Sequence, residues 1–350
     1  MKERRTNVEK QPNYFKKFKI KSNPNCCCHC CCFCCNCKCK PPFPSPPNCN
    51  YLVYVTDAGQ IETPDNRVSV INTSTNTIVA SIPVGTAPLE VAITPDGAFG
   101  YVPAYFSNNV TVFSTATNMA VATIPVGINP LGVAISPNGT LAYVSNQGSN
   151  TVSVINTTLN TVTATIPVGL APQGIAFTPN GAFAYVADEN SNAISVIDTL
   201  TNIVVATIPV GARPRSIVFT PNGQFAYVTN EASNTVSVIN ANINTVIATI
   251  PVGNGPVGTA ITPDGSFVYI VNKGSNTVSV IDTSTNLVIA TIPVGISPDQ
   301  VTILPNGTFA YVTNQLDNTV SVINIATNIV VDTIPGFNGP TGIKTGTICI

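Results

Sequence analysis

Residues 132–169 read GVAISPNGTLAYVSNQGSNTVSVINTTLNTVTATIPVG, and four strands can be read from them. Gly132–Ser136 is a short apolar strand. Pro137-Asn138-Gly139 places Pro at i+1 and Gly at i+3 of a type I turn, which makes a tight hairpin into Leu141–Ser145. Thr151–Asn156 follows, with Val152 and Val154 set against Ser153 and Ile155. Thr161–Ile166 is the fourth strand, and Pro167 ends it. Proline has no N–H for a ladder, so it belongs on an outer edge strand, where it also blunts edge-to-edge pairing.

Outward from this unit the same spelling recurs every 42 residues. Ile-Pro stands at Ile82, Ile124, Ile166, Ile208, Ile250, Ile292 and Ile334, and a second Pro at Pro88, Pro130, Pro172, Pro214, Pro256, Pro298 and Pro340. A Tyr keeps the step at Tyr101, Tyr143, Tyr185, Tyr227, Tyr269 and Tyr311. Four antiparallel strands per unit of about 40 residues is the signature of a propeller blade. One blade cannot bury its own faces, and a ring buries them all. The expected fold is therefore all-β, a seven-bladed propeller over residues 51–350, preceded by a separate tail, residues 1–50.

Tyr-Val-Thr-Asn at Tyr227–Asn230 and Tyr311–Asn314, each followed by Asn-Thr-Val-Ser-Val-Ile, resembles the YVTN-family β-propeller repeat, and the likeness covers residues 51–350. At the level of fold such repeats resemble quinone-dependent amine dehydrogenases, nitrous-oxide reductases, haem-dependent nitrite reductases and lactonases.

The units are out of phase with the chain ends. Tyr54 aligns with Tyr143 on a second strand, and Gly342–Cys349 aligns with a first strand. The closing blade must combine one C-terminal strand with three N-terminal ones. In that alignment Cys49 falls on Asn138 and Cys349 on Gly139, adjacent turn residues of an ordinary blade. A Cys49–Cys349 disulfide in place of the missing hairpin is expected. In the chain-entropy model it stabilises by about 5 kcal/mol, and it requires a Cα–Cα distance below ~7 Å.

Charge divides the chain. Residues 1–50 hold ten Lys/Arg and two acids, +8, and residues 51–350 hold five Lys/Arg and fourteen acids, −9. The propeller is a poor surface for nucleic acid. No apolar run has the length of a secretory leader or a membrane span, which favours a soluble protein made without a Sec signal.

The tail carries Cys26, Cys27, Cys28, His29, Cys30, Cys31, Cys32, Cys34, Cys35, Cys37 and Cys39, then a Pro-rich linker. Three readings stay open. Crowded thiols suit interchain disulfides. Thiolates suit a soft metal, although runs of adjacent Cys match zinc-site spacing poorly. The run also resembles an acylated cysteine string, and the nearby Lys16, Lys17, Lys19 and Lys21 would add membrane attraction. Cysteine-dense runs resemble proteins of bacterial spore coats, which are made in a cytosol and later cross-linked. A spore-surface or cell-envelope location is thus expected, with a cytoplasmic one as the alternative.

Residues 51–350 contain no histidine, which removes histidine-ligated copper or haem and any Ser-His-Asp or Cys-His nucleophile. A carboxylate-based, metal-dependent lactonase survives that filter. The loops after each fourth strand and between second and third strands share one face. Symmetry breaks there at Glu90, Tyr105, Asp188, Glu189, Arg213, Arg215, Glu231, Lys273 and Asp299, the candidate ligand-binding residues. The near-identity of the blades argues for a non-enzymatic scaffold or binding module. It would need no cofactor, engage protein partners or surface polymers through the loop face, and reach itself or coat proteins through tail disulfides. It would meet a membrane only if acylated. The metal-dependent lactonase and an acylated interaction platform are the alternatives.

Overall fold

The computed structural model describes residues 49–60 and 63–349, with backbone alone for residues 49, 50, 60 and 347–349. The tail cysteines, His29, Ile61 and Glu62 lie outside the described residues. The propeller forms seven four-stranded antiparallel sheets. In the unit that opened the sequence reading, the strands run Pro130–Ile135, Leu141–Asn146, Thr151–Asn156 and Thr161–Pro167. Ser136 to Gly139 is closed by a Gly139 N–H to Ser136 O hydrogen bond of 2.8 Å, with Gly139 at φ +76°.

Numbering blades along the chain, blade 1 pairs the C-terminal strand Pro340–Cys349 with Cys49–Gln60, Thr63–Asn72 and Thr77–Pro83. Blade 2 begins at Pro88, blade 3 at Pro130, and so on to blade 7 at Pro298. The closure expected from the repeat phase is present. Pro340–Cys349 runs beside Cys49–Gln60 in a continuous register from Cys49↔Cys349 to Val55↔Ile343.

The four letters of Tyr-Val-Thr-Asn each have a separate contact. The Tyr ring is buried between blades, and its hydroxyl crosses to an Asn in the outer turn of the next blade. Five such bonds span 2.7–3.0 Å: Tyr101–Asn160, Tyr143–Asn202, Tyr227–Asn286, Tyr269–Asn328 and Tyr311–Asn76. Tyr185 makes the same bond to Asn244. These Asn residues sit at φ of +51° to +56°, a left-handed position that Asn tolerates better than most residues. The Val packs in the blade core, as Val144 and Val228 do at 0% exposure.

The third letter serves a β-bulge. In blade 3, Pro130 pairs with Asn146 and Val133 with Val144, so Leu131 and Gly132 together oppose Ser145. Blades 4 to 7 repeat the shift after Pro172, Pro214, Pro256 and Pro298. A bulge leaves ladder groups unpaired. Ser145 Oγ accepts the Gly132 N–H at 2.8 Å and donates to Gln173 O of blade 4 at 2.5 Å. Thr229 does the same for Ser216 N–H and Val257 O, and Thr313 for Gln300 N–H and Thr341 O. One hydroxyl thus repairs its own blade and fastens the next. Blades 2, 4 and 6 carry Pro103, Ala187 and Val271 at this position instead.

The fourth letter, Asn, donates from Nδ2 to a Thr and a Ser of the third strand, as Asn146 does to Thr151 and Ser153 at 3.0 Å.

One Tyr–Asn latch is missing. Among the described residues, neither Tyr54 Oη nor Asn118 Oδ1 has a hydrogen-bond partner. Blade 2 carries Phe113 where other blades carry Ile, and Gly100 opposite it leaves room for that ring. Phe113 packs on Tyr54 at 5.3 Å between centroids, so an aromatic contact stands where the polar latch would be. Replacing Tyr227 with Phe should therefore cost about 1–2 kcal/mol in urea unfolding, because Asn286 loses its donor. Tyr54→Phe should change stability by less than about 0.5 kcal/mol or raise it.

Candidate functional site

The bulges of the innermost strands turn their side chains toward the central channel, which holds a cavity of about 500 Å³. Its polar lining includes Glu90, Gln173, Arg215, Lys273, Asp299, Gln300, Gln315 and Lys344. Glu90, Gln173, Arg215, Asp299 and Gln300 all stand one or two residues after the second repeat Pro. At the second of those two positions most blades have Gly, because adjacent innermost strands nearly touch. A Cβ on Gly342 of blade 1 would lie 2.5 Å from Glu90 Cα and 2.7 Å from Leu89 O. Blade 5 has Ser216, and only blades 2 and 7 place long side chains there, Glu90 and Gln300. The Gly between them leaves space for a bond across the whole of blade 1, Gln300 Nε2 to Glu90 Oε2 at 3.2 Å.

Residues that follow the second strands of blades 2 to 7 gather at the mouth: Tyr105, Gln147, Glu189, Glu231, Lys273 and Gln315. Tyr105 Oη donates to Gln147 Oε1 at 2.7 Å, and Gln147 Nε2 to Glu189 Oε2 at 3.5 Å. Glu189 is buried and also accepts from Gln173 Nε2 at 2.5 Å and Arg213 Nε at 2.8 Å. Arg215 stands 3.6 Å from Glu189 and 3.5 Å from Glu231. On the other side, Lys273 Nζ donates to Asp299 Oδ1 and Gln315 Oε1, both at 2.9 Å.

Of the five cations in residues 51–350, Arg215, Lys273 and Lys344 line this channel, and Arg213 joins the mouth through its pair with Glu189. Arg213, Arg215 and Lys273 are paired with carboxylates. Lys344 makes no ion pair among the described residues, so its charge faces the channel. Glu90 is the matching acid. Crowding by protein lifts its carboxyl to about 7, and the Asp299 charge pushes the same way. Lys344 and the Val91 N–H pull it back down.

The structure thus gathers eight of the nine candidate binding residues around the mouth and channel. Asp188 is the correction. It is fully buried inside blade 4, where blades 3, 5, 6 and 7 carry the ladder Asn, and it accepts from Ser195 Oγ at 2.6 Å. Gln147, Gln173, Gln300, Gln315 and Lys344 escaped the sequence reading. Lys344 had a signal, for it stands where blades 3, 4 and 6 have Ala134, Ala176 and Ala260.

The family model described as lactonase, 7-bladed beta-propeller, matches residues 54–165 and 197–329. The chain belongs to this lactonase propeller family. No curated protein matches it. Among solved structures, the periplasmic gluconolactonase of Pseudomonas aeruginosa is 16% identical, with TM-score 0.71 over 84% of this chain and 99% of that one. A candidate 6-phosphogluconolactonase of Bacteroides fragilis is 19% identical, with TM-score 0.73 over 86% and 99%. A hydrazine synthase chain of Kuenenia stuttgartiensis is 24% identical, with TM-score 0.69 over 75% and 90%. At these identities the likeness is one of fold.

Family membership overturns the expectation of a non-enzymatic scaffold. The physical reason is that the near-identity of the blades resides in their latches and cores, whereas the bulge positions on the channel differ from blade to blade. The metal requirement attached to the lactonase alternative does not fit. Among the described residues no three His, Cys, Asp or Glu side chains converge on a point. Glu90 and Asp299 stand among Lys273, Gln300 and Lys344 rather than with other acids.

In this lactonase-family propeller Asp188 gives a pH test. Burial raises its carboxyl to about 6, against the lowering effects of Ser195 and the Gly169 N–H. A carboxyl that is raised in the folded state favours folding in acid, and that contribution is lost as pH climbs from about 4 through about 6. Asp188→Asn, the residue of neighbouring blades, should raise stability at pH 8 by up to about 3 kcal/mol and have little effect at pH 4. Thermal melts across that range measure it.

Proposed function

We propose that the chain hydrolyses a sugar-derived lactone in the channel, with Glu90 as general base. The observation that carries this reading is a carboxyl poised near 7 beside Lys344, which has no ion pair among the described residues, on the channel of a lactonase-family propeller. A general base works best when its pKa lies near the working pH. The gluconolactonase of Pseudomonas aeruginosa, similar in fold, supports the choice of substrate class.

The reaction needs little machinery. Glu90, held by Gln300, takes a proton from a water as its oxygen attacks the lactone carbonyl carbon. The negative charge that develops on the carbonyl oxygen is met by the Lys344 ammonium. Collapse breaks the ring C–O bond, and Glu90 returns the proton to the departing alkoxide. The product is an open hydroxy acid. Arg215, Lys273 and the ring of amides at the mouth offer donors to substrate hydroxyls. The Tyr-Val-Thr-Asn segments belong in this reading to the frame that holds the bulges.

Glucono-1,5-lactone with a pH-indicator readout, corrected for spontaneous hydrolysis, tests the reading. Glu90→Gln should lower kcat by about 100-fold or more while its melting temperature at pH 8 stays at or above that of wild type. In the wild type, kcat/KM should rise with pH and level off above about 7, as Glu90 ionises. Lys344→Met removes the charge that favours ionised Glu90, so it should move this midpoint to higher pH. A Glu90→Gln variant as fast as wild type would refute the assignment.

A further inference from the structure

We propose that Cys49 and Cys349 form an intrachain disulfide that closes the ring, whatever the substrate of the channel. Two independent observations lead to it. The repeat alignment puts both residues where an ordinary blade has its first hairpin turn, and these are the two cysteines of the chain outside residues 26–39. The backbone then sets them directly opposite one another, Cys49↔Cys349, on the pair of strands that no peptide connection joins at that end. Directly opposed residues of antiparallel strands have Cα atoms about 4.5–5.5 Å apart, inside the range of about 4.4–6.8 Å that a disulfide spans.

In the other blades the turn itself keeps innermost and second strands in register, as Ser136 to Gly139 does in blade 3. Blade 1 has only ladder bonds for this task. Its innermost strand is also the one that carries Thr341, Gly342 and Lys344 to the channel. A covalent rung at Cys349 holds that strand five residues from Lys344. The bond forms by exchange with an external disulfide, such as oxidised glutathione. Both thiols lose their protons, one S–S bond forms within the chain, and the external disulfide leaves as two thiols.

Peptide mapping decides the matter independently of any activity. Full-length protein is equilibrated with oxidised glutathione, alkylated in acid and digested with trypsin without reduction. The Lys40–Pro41 bond resists trypsin, so Cys49 travels in the peptide that runs from Cys39 to Arg67, and Cys349 in Thr345–Ile350. The expected product is these two peptides joined, persisting in Cys39→Ser and absent in Cys349→Ser. Reduction should lower the thermal midpoint of wild type by roughly 5–10 °C and leave Cys349→Ser unmoved. The proposal is overturned if Thr345–Ile350 emerges with Cys349 alkylated, if it is joined to a peptide that ends at or before Lys38, or if reduction leaves the wild-type midpoint unchanged.

Discussion

The interaction on which the rest depends is the hydroxyl of the third letter in Tyr-Val-Ser/Thr-Asn. The bulge beside it leaves an N–H without a ladder partner, and a buried N–H needs one. Ser145, Thr229 and Thr313 accept that N–H and, with the same oxygen, donate to the carbonyl of the next bulge. The bulge is what turns side chains into the channel, so a functional surface and a blade-to-blade fastening share one atom. The outer Tyr–Asn latches hold the same blades some distance from the axis. Together they fix each sheet at two radii, while the apolar core fills the space between.

Much of the fold was legible because the repeat is written in residues with single physical meanings. Pro ends a strand, Gly takes a left-handed turn, Asn tolerates φ near +55°, and alternating Val and Ile mark two buried faces. The phase of the repeat against the chain ends foretold the closing strand. The bulges were not legible. They insert one residue without altering the 42-residue period, so no change of spacing betrays them. Gln173 and Gln300, uncharged and without a change of spacing to mark them, went unread. Asp188 misled in the opposite sense, since a carboxylate that breaks symmetry reads as a ligand-facing group when nothing in the sequence tells which way the strand turns.

Function was read less well than fold for a related cause. In the sequence, repetition argues against chemistry. In the structure the repeated letters are those that build walls, and the channel is lined by the letters that repeat worst. Glu90 and Gln300 stand where the other blades are held to Gly or Ser, and they bond across blade 1 because Gly342 has no side chain in the way. Lys344 occupies an Ala position of the blade that the two chain ends share. The most irregular blade and its neighbours therefore hold the pair of side chains proposed for catalysis.

The hydroxyl of the third letter is present in blades 1, 3, 5 and 7 and missing in blades 2, 4 and 6. An odd ring cannot be coloured in two alternating colours, so two like blades must meet somewhere. They meet where blade 7 joins blade 1. There Thr313 reaches Thr341 O, and Thr56 faces the Thr341 hydroxyl, which passes the bond on to Pro88 O. Gln300, Lys344 and Glu90 surround this parity defect. A propeller of six or eight blades built from the same two-blade pattern would close without one.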